Sequence, residues 1–91
     1  VTAWSVELTS AAVRDLDRLS PRVLPAVIEF FYGPLAENPD RVGKPLRGDL
    51  VGLFGGRRGD YRVLYEIDRP SETVIVHRVR HRADAYRSTG T

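Results

Sequence analysis

Residues Arg57 to Arg62 read R-R-G-D-Y-R, and this stretch constrains the chain more than any other. Gly59-Asp60 lies between two runs of strand character. A Gly-X pair in that place marks a two-residue hairpin, the glycine supplying the positive φ that a type II′ turn needs. Such a turn sets the register: Arg58 pairs with Tyr61, and Arg57 stands directly across from Arg62. Like charges opposed on one sheet face repel. Two guanidinium groups kept there are read as held for an anion, and phosphate suits a chain so rich in arginine. The alternative is a solvated strand end with both side chains splayed into water.

The patterning around the hairpin predicts the other elements. Ala3 to Thr9 alternates, with Trp4, Val6 and Leu8 on one side, and reads as a half-buried strand. Ser10 is the expected N-cap of a first helix carrying Ala12, Val13, Leu16 and Leu19. Ser20-Pro21 starts a second helix, whose face is Leu24, Val27, Ile28, Phe31 and Leu35, with Gly33-Pro34 kinking or ending it. Glu37 to Asp49 reads as a loop, with Leu46 plugged into the core. Leu50 to Arg57 is a glycine-laced strand. Tyr61 to Ile67 alternates, placing Tyr61, Val63, Tyr65 and Ile67 towards the helices and Arg62, Leu64 and Glu66 on the other side. Thr73 to Val79 is a β-branched run and reads as a buried central strand. Arg80 to Arg87 reads as a short C-terminal helix or ordered tail. The predicted fold is α+β: a small, mostly antiparallel sheet with a helical hairpin on one face, in the order β-α-α-β-β-β plus a short C-terminal helix, as one domain over residues 1–91. The face carrying Arg62 has no sequence left to cover it.

Charge is divided unevenly along the chain. Residues 1–40 carry three Arg against six acids, a charge of −3, whereas residues 41–91 carry eleven Lys or Arg against six acids, a charge of +5. The C-terminal half is therefore the candidate anion-binding half. Thirteen of the fourteen basic residues are Arg, whose planar fork grips phosphate in bidentate fashion. No Cys is present, which excludes disulfides, thiol nucleophiles and cysteine zinc sites and fits a reducing cytosol. Two His and no tight acidic cluster make a metal site an unexpected feature. No apolar run reaches the roughly 18 residues of a membrane span. A secretory signal is not expected either, and a cytoplasmic location is.

Three constellations could carry chemistry. Arg57 and Arg62 form the proposed clamp, with Arg58 on the opposite face. Arg78, Arg80, His81, Arg82, Tyr86 and Arg87 make a cationic tail with an aromatic ring, a combination that suits single-stranded RNA. The competing reading is a surface helix in which Asp84 pairs with Arg82 or Arg87 and Tyr86 is a packing anchor. Arg41, Lys44 and Arg47 could track a backbone or simply line a basic loop. Trp4, Phe54 and Tyr65 read as core, and His77, in the middle of the buried strand, reads as a satisfied core histidine or one that supports a neighbouring group, not as a catalyst. Arginine keeps its proton near neutral pH, so its work is to stabilise charge on a transferring phosphoryl group. His81, with a reference pKa near 6.5, is the group matched to moving a proton. Tyr86 would need its ordinary pKa of about 10 lowered, or would donate or stack. RNA carries its own nucleophile, the 2′-hydroxyl, so such a site needs no metal or other cofactor.

The stretches GKPLRGDLVGLFGGRRGDYRVLYEID and TVIVHRVRHRADAYR, with A-x-R-D-L-x-x-L at Ala12 to Leu19, resemble the RelE branch of the RelE/ParE toxin superfamily. The resemblance covers nearly the whole chain. It implies a type II toxin–antitoxin toxin that enters the ribosomal A site and cuts the mRNA there, partnered by a small RelB-like antitoxin. It implies active-site roles for Arg62, for Arg80 or Arg82, and for Tyr86. One departure stands out: relatives carry basic residues on the strand before the hairpin, where this chain has Leu53, Phe54, Gly55 and Gly56. Arg57 and His81 become the expected substitutes. The resemblance leaves two alternatives open, a ParE-like poison of DNA gyrase and a weak translation inhibitor that does not cleave.

Overall fold

The computed structural model describes residues 3–83. Its elements are β1 (Ser5–Leu8), α1 (Ser10–Asp17), α2 (Leu24–Phe30), β2 (Gly43–Pro45), β3 (Phe54–Arg58), β4 (Tyr61–Asp68) and β5 (Thr73–His81). The strands form one sheet in the order β1-β5-β4-β3-β2. Strand β1 runs parallel to β5, and every other neighbouring pair is antiparallel. Helix α1 packs on β5 and β1, and α2 packs on β3. The fold is the expected α+β sandwich, with both helices on one face. The expected C-terminal helix lies outside the described residues, except that Arg80 and His81 prove to be the end of β5.

The core lies between the helices and β4–β5. Ala12, Leu16, Val27, Phe30, Phe31 and Leu35 meet Val63, Tyr65, Val74, Val76 and Val79. Trp4 and Phe54 pack against this cluster while staying half-buried, and Leu46 stands outside it. The Tyr65 hydroxyl donates to the Pro39 carbonyl, which satisfies a polar atom at the centre of the core.

Local differences from the sequence reading have identifiable causes. The cap of α1 is Thr9, one residue early, its hydroxyl accepting from the Ala12 amide at 3.1 Å. Gly33-Pro34 does not end the second helix. The chain widens into a π-helical turn over Phe31–Leu35, a turn in which a proline lacking its N–H can be accommodated. The loop from Glu37 to Asp49 contains β2, three residues whose Pro45 and Lys44 hide any alternation. The strand expected from Leu50 begins only at Phe54, because a 3₁₀ turn at Gly48–Leu50 and Gly52 at φ 96° occupy the earlier positions.

The hairpin holds as read. Gly59 has φ 60° and Asp60 is not among the positive-φ residues, which is the type II′ pattern. Arg58 pairs with Tyr61, and Arg57 pairs with Arg62.

Candidate anion-binding site

Strand register builds the site. Arg57 on β3 is opposite Arg62 on β4, and Arg62 is opposite Arg80 on β5. Three guanidinium-bearing positions therefore stand side by side on three adjacent strands, about 4.5–5.5 Å apart at Cβ by ordinary strand spacing. They occupy the sheet face away from the helices. Lys44 joins the same face from β2, opposite Gly55, which offers no side chain of its own.

A cleft of ≈ 250 Å³ opens here, lined by Arg41, Val42, Lys44 and the backbone of Gly43, Gly55 and Gly56, with Arg57 and Arg62. Four cations and no acid line it. One guanidinium nitrogen of Arg62, Nη1, is buried with no hydrogen-bond partner, the one such side-chain atom among the described residues. A buried charged donor left unpaired is costly, so an anion at the cleft would favour a turn of the Arg62 guanidinium that brings this nitrogen to an acceptor. Of the side chains lining the cleft, Lys44 is the one that can release a proton, because guanidinium groups hold theirs.

Arg80 also borders a second cleft of ≈ 240 Å³ at the end of the sheet, together with Asp15, Arg18, Leu19, Tyr61, Val79 and His81. Asp15 is buried on α1, where it accepts from Arg78 Nε at 2.8 Å, from Arg78 Nη2 at 3.1 Å and from the Val79 amide at 2.9 Å. Burial raises its pKa, but these hydrogen bonds and the charges of Arg78 and Arg80 outweigh that and hold it below the usual carboxylate value. Arg78 is thereby engaged by Asp15.

The remaining candidates separate by face. His81 stands across from Tyr61, their rings 5.4 Å apart edge to face, on the helix side of the sheet and not beside the arginine row. Arg58 is on that side too, in a groove with Arg22, Val23, Ala26 and Val27. Arg82 is exposed, its amide bonded to the Asp60 carbonyl. Arg47 is exposed in the loop after β2. His77, expected either in the core or supporting a neighbouring group, is not in the core: it lies half-exposed on the open face with Nε2 2.9 Å from Glu66 Oε1. Tyr86 and Arg87 lie outside the described residues. One contributor, Asp15, escaped the sequence reading of the site, whereas Arg41 is read there as part of a basic loop that could track a backbone. Asp15 carried a legible signal, since an acid three residues after Ala12 falls on the buried stripe of α1.

Among the described residues, no helix is long and apolar enough to cross a membrane, and no group of three or more His, Cys, Asp or Glu could hold a metal ion.

A small sheet backed by two helices, with a basic row on its uncovered face, matches the fold expected of RelE-like toxins. The chain belongs to the family of ParE toxins of type II toxin–antitoxin systems, whose model matches residues 6–86. It is 55% identical to toxin RelG of Mycobacterium tuberculosis over 84 residues, which is 92% of this chain and 97% of that one. Identity to toxin RelE of the same organism is 48% over 84 residues, 92% of this chain and 87% of the relative. Among solved structures, the toxin–antitoxin complex RelBE2 of M. tuberculosis superimposes with a TM-score of 0.86 at 52% identity, over 92% of this chain and 97% of the matched one.

Proposed function

We propose that the protein is a cytoplasmic, ribosome-dependent mRNA endonuclease that cuts within the A site and so inhibits translation. The observation that carries this reading is the buried, unpartnered Nη1 of Arg62 in the middle of the row Arg57–Arg62–Arg80. That arrangement suits one backbone phosphoryl group. The 2′-oxygen attacks phosphorus, the bond to the 5′-oxygen breaks, and the products are a 2′,3′-cyclic phosphate and a 5′-hydroxyl. Arg57 and Arg62 neutralise the equatorial oxygens as negative charge builds, and Arg80 extends the field along the row. Holding the hydroxyl in line with the leaving oxygen supplies the rest. Of the groups that can carry the two protons, Lys44 is in the cleft, His81 is at the end of β5 on the reverse face, and Tyr86 follows the described residues. Lys44, Arg47, Arg58, Arg78, Arg82 and Arg87 are the proposed backbone contacts, with Arg78 shared with Asp15.

The similar RelBE2 toxin is solved in complex with its antitoxin, and we infer a small RelB-like antitoxin for this chain as well. The family description as ParE favours a second reading, a gyrase poison acting through protein contacts. One experiment separates them. Transcript 5′ ends are mapped after induction and again with purified ribosomes, and plasmid supercoiling is followed in parallel. Cuts inside codons on ribosomes are expected. Inhibited supercoiling with intact mRNA would replace this reading with the second.

A further inference from the structure

Strand β5 changes phase in mid-course. Tyr65 pairs with Val76, but Leu64 pairs with Arg78, so His77 is an extra residue with no partner on β4. This one-residue bulge decides which side chains face out. Val74 and Val76 are buried before it and Val79 is buried after it, a step of two followed by a step of three. With an unbroken register, Arg80 would oppose Tyr61 on the helix side and Val79 would stand in the row of arginines.

The bulge is held from α1. Strand β1 ends at Leu8, opposite Val76, and leaves the rest of β5 without a neighbour on that edge. The Thr9 amide donates to the Val76 carbonyl, the Thr9 hydroxyl donates to the His77 carbonyl at 3.0 Å, and Asp15 accepts from the Val79 amide and the Arg78 guanidinium. The Val76 and His77 carbonyls, the Val79 amide and the Arg78 side chain thus find partners on one short helix and its capping residue.

We propose that Asp15 is a positioning residue for the arginine row: by clasping Arg78 and the Val79 amide it keeps the β5 bulge, and with it Arg80, on the face of Arg57 and Arg62. The relevance to cleavage rests on the nuclease reading above; the effect on register does not. Asp15→Ala leaves the Val79 amide without its acceptor and frees Arg78, so β5 can slip to the unbroken register.

The test uses the whole chain with Asp15→Ala, Arg80→Ala and Arg57→Ala, singly and in pairs. Single-turnover mRNA cleavage on programmed ribosomes is measured, and β5 register is read from nuclear Overhauser contacts between Val63 and Val79. Asp15→Ala is expected to slow cleavage about 10²-fold through misplacement of the row. Its pair with Arg80→Ala should be no slower than Arg80→Ala alone, whereas its pair with Arg57→Ala should be slower than either single variant. A merely structural acid would penalise both pairs alike, and that result would overturn the proposal. So would retention of the Val63–Val79 contacts in Asp15→Ala. If the unaltered chain cuts no mRNA, the nuclease reading fails by itself, and the register measurement still decides the role of Asp15. Should Asp15→Ala not fold, Asp15→Asn, which keeps the size of the side chain but removes its charge and one acceptor oxygen facing Arg78 and the Val79 amide, carries the same test.

Discussion

Arg62→Ala should cut activity and stability apart. In the folded chain Arg62 stands between Arg57 and Arg80, with a guanidinium nitrogen buried and unpartnered. Each directly opposed like-charge pair costs up to about 1 kcal/mol, and the substitution relieves two of them. It also removes a desolvated donor, worth about another 1 kcal/mol. Against this stands the loss of packing from a half-buried aliphatic stem, about 1–2 kcal/mol. The net change in dilute buffer therefore lies between about −1 and +2 kcal/mol, the upper end being reached when both repulsions are fully expressed, where a typical substitution costs about 1 kcal/mol. At that upper end the melting temperature should rise by about 12 °C for a domain of this size. Salt gives the diagnostic. As the screening length falls from about 10 Å at 0.1 M to about 3 Å at 1 M, repulsion in the unaltered chain is damped and the advantage of the variant shrinks. Cleavage, by contrast, should drop about 10²-fold or more, as when one preorganised donor to a transition state is deleted. Thermal or urea unfolding at both salt concentrations, alongside single-turnover cleavage, reads both quantities. A loss of more than about 2 kcal/mol that ignores salt would show Arg62 to be an ordinary structural partner, and the reasoning about a row held for an anion would fail.

Tyr65→Phe should lower stability by about 1–3 kcal/mol, because the buried Pro39 carbonyl loses its donor; urea unfolding checks this. Burial, with the nearby charge of Asp40, pushes the Tyr65 phenol up to about 12. Its contribution is intact below the unfolded value of about 10 and is lost as pH rises through the folded value, so alkaline melts of the Phe variant should fall less steeply. The Asp15 carboxyl is held low, so its contribution is intact above the ordinary carboxylate value and disappears as pH falls through the folded value. Asp15→Asn should accordingly be less stable at neutral pH and lose less on acidification, seen in unfolding curves from pH 7 downwards. Gly43→Ala should destabilise by about 1–3 kcal/mol, since its methyl carbon would lie 2.9 Å from the Gly55 carbonyl oxygen and closer still to the Tyr65 hydroxyl. A melt as stable as that of the unaltered chain would contradict the tight approach of β2 to β3.

The turn and the two alternating strands were legible because each signal is local. Gly59-Asp60 dictates the pairing of Arg57 with Arg62, and alternation in β4 dictates which residues face the helices. Arg80 entered the row by a longer route. Its face depends on the His77 bulge, and the clue was the uneven spacing of Val74, Val76 and Val79, which a β-branched run masks. The same phase change put His81 on the helix side, so its expected place beside the arginines did not survive the register. Strand β2 was hidden because three residues cannot show a period. Its Lys44 nonetheless brings a cation to the face where β3 has Gly55, a contribution visible only once the two strands are paired.

Strand order carries one more consequence. The first strand has a single neighbour, and that neighbour is β5, so Ser5 waits for Thr73 before it can bond. Such distant pairing is slow to nucleate, since a long loop must close before any contact compensates for it. A nascent chain stopped short of β5 has an open sheet and lacks Arg80 altogether. The arginine row is therefore complete only once β5 has been made and has paired with β4.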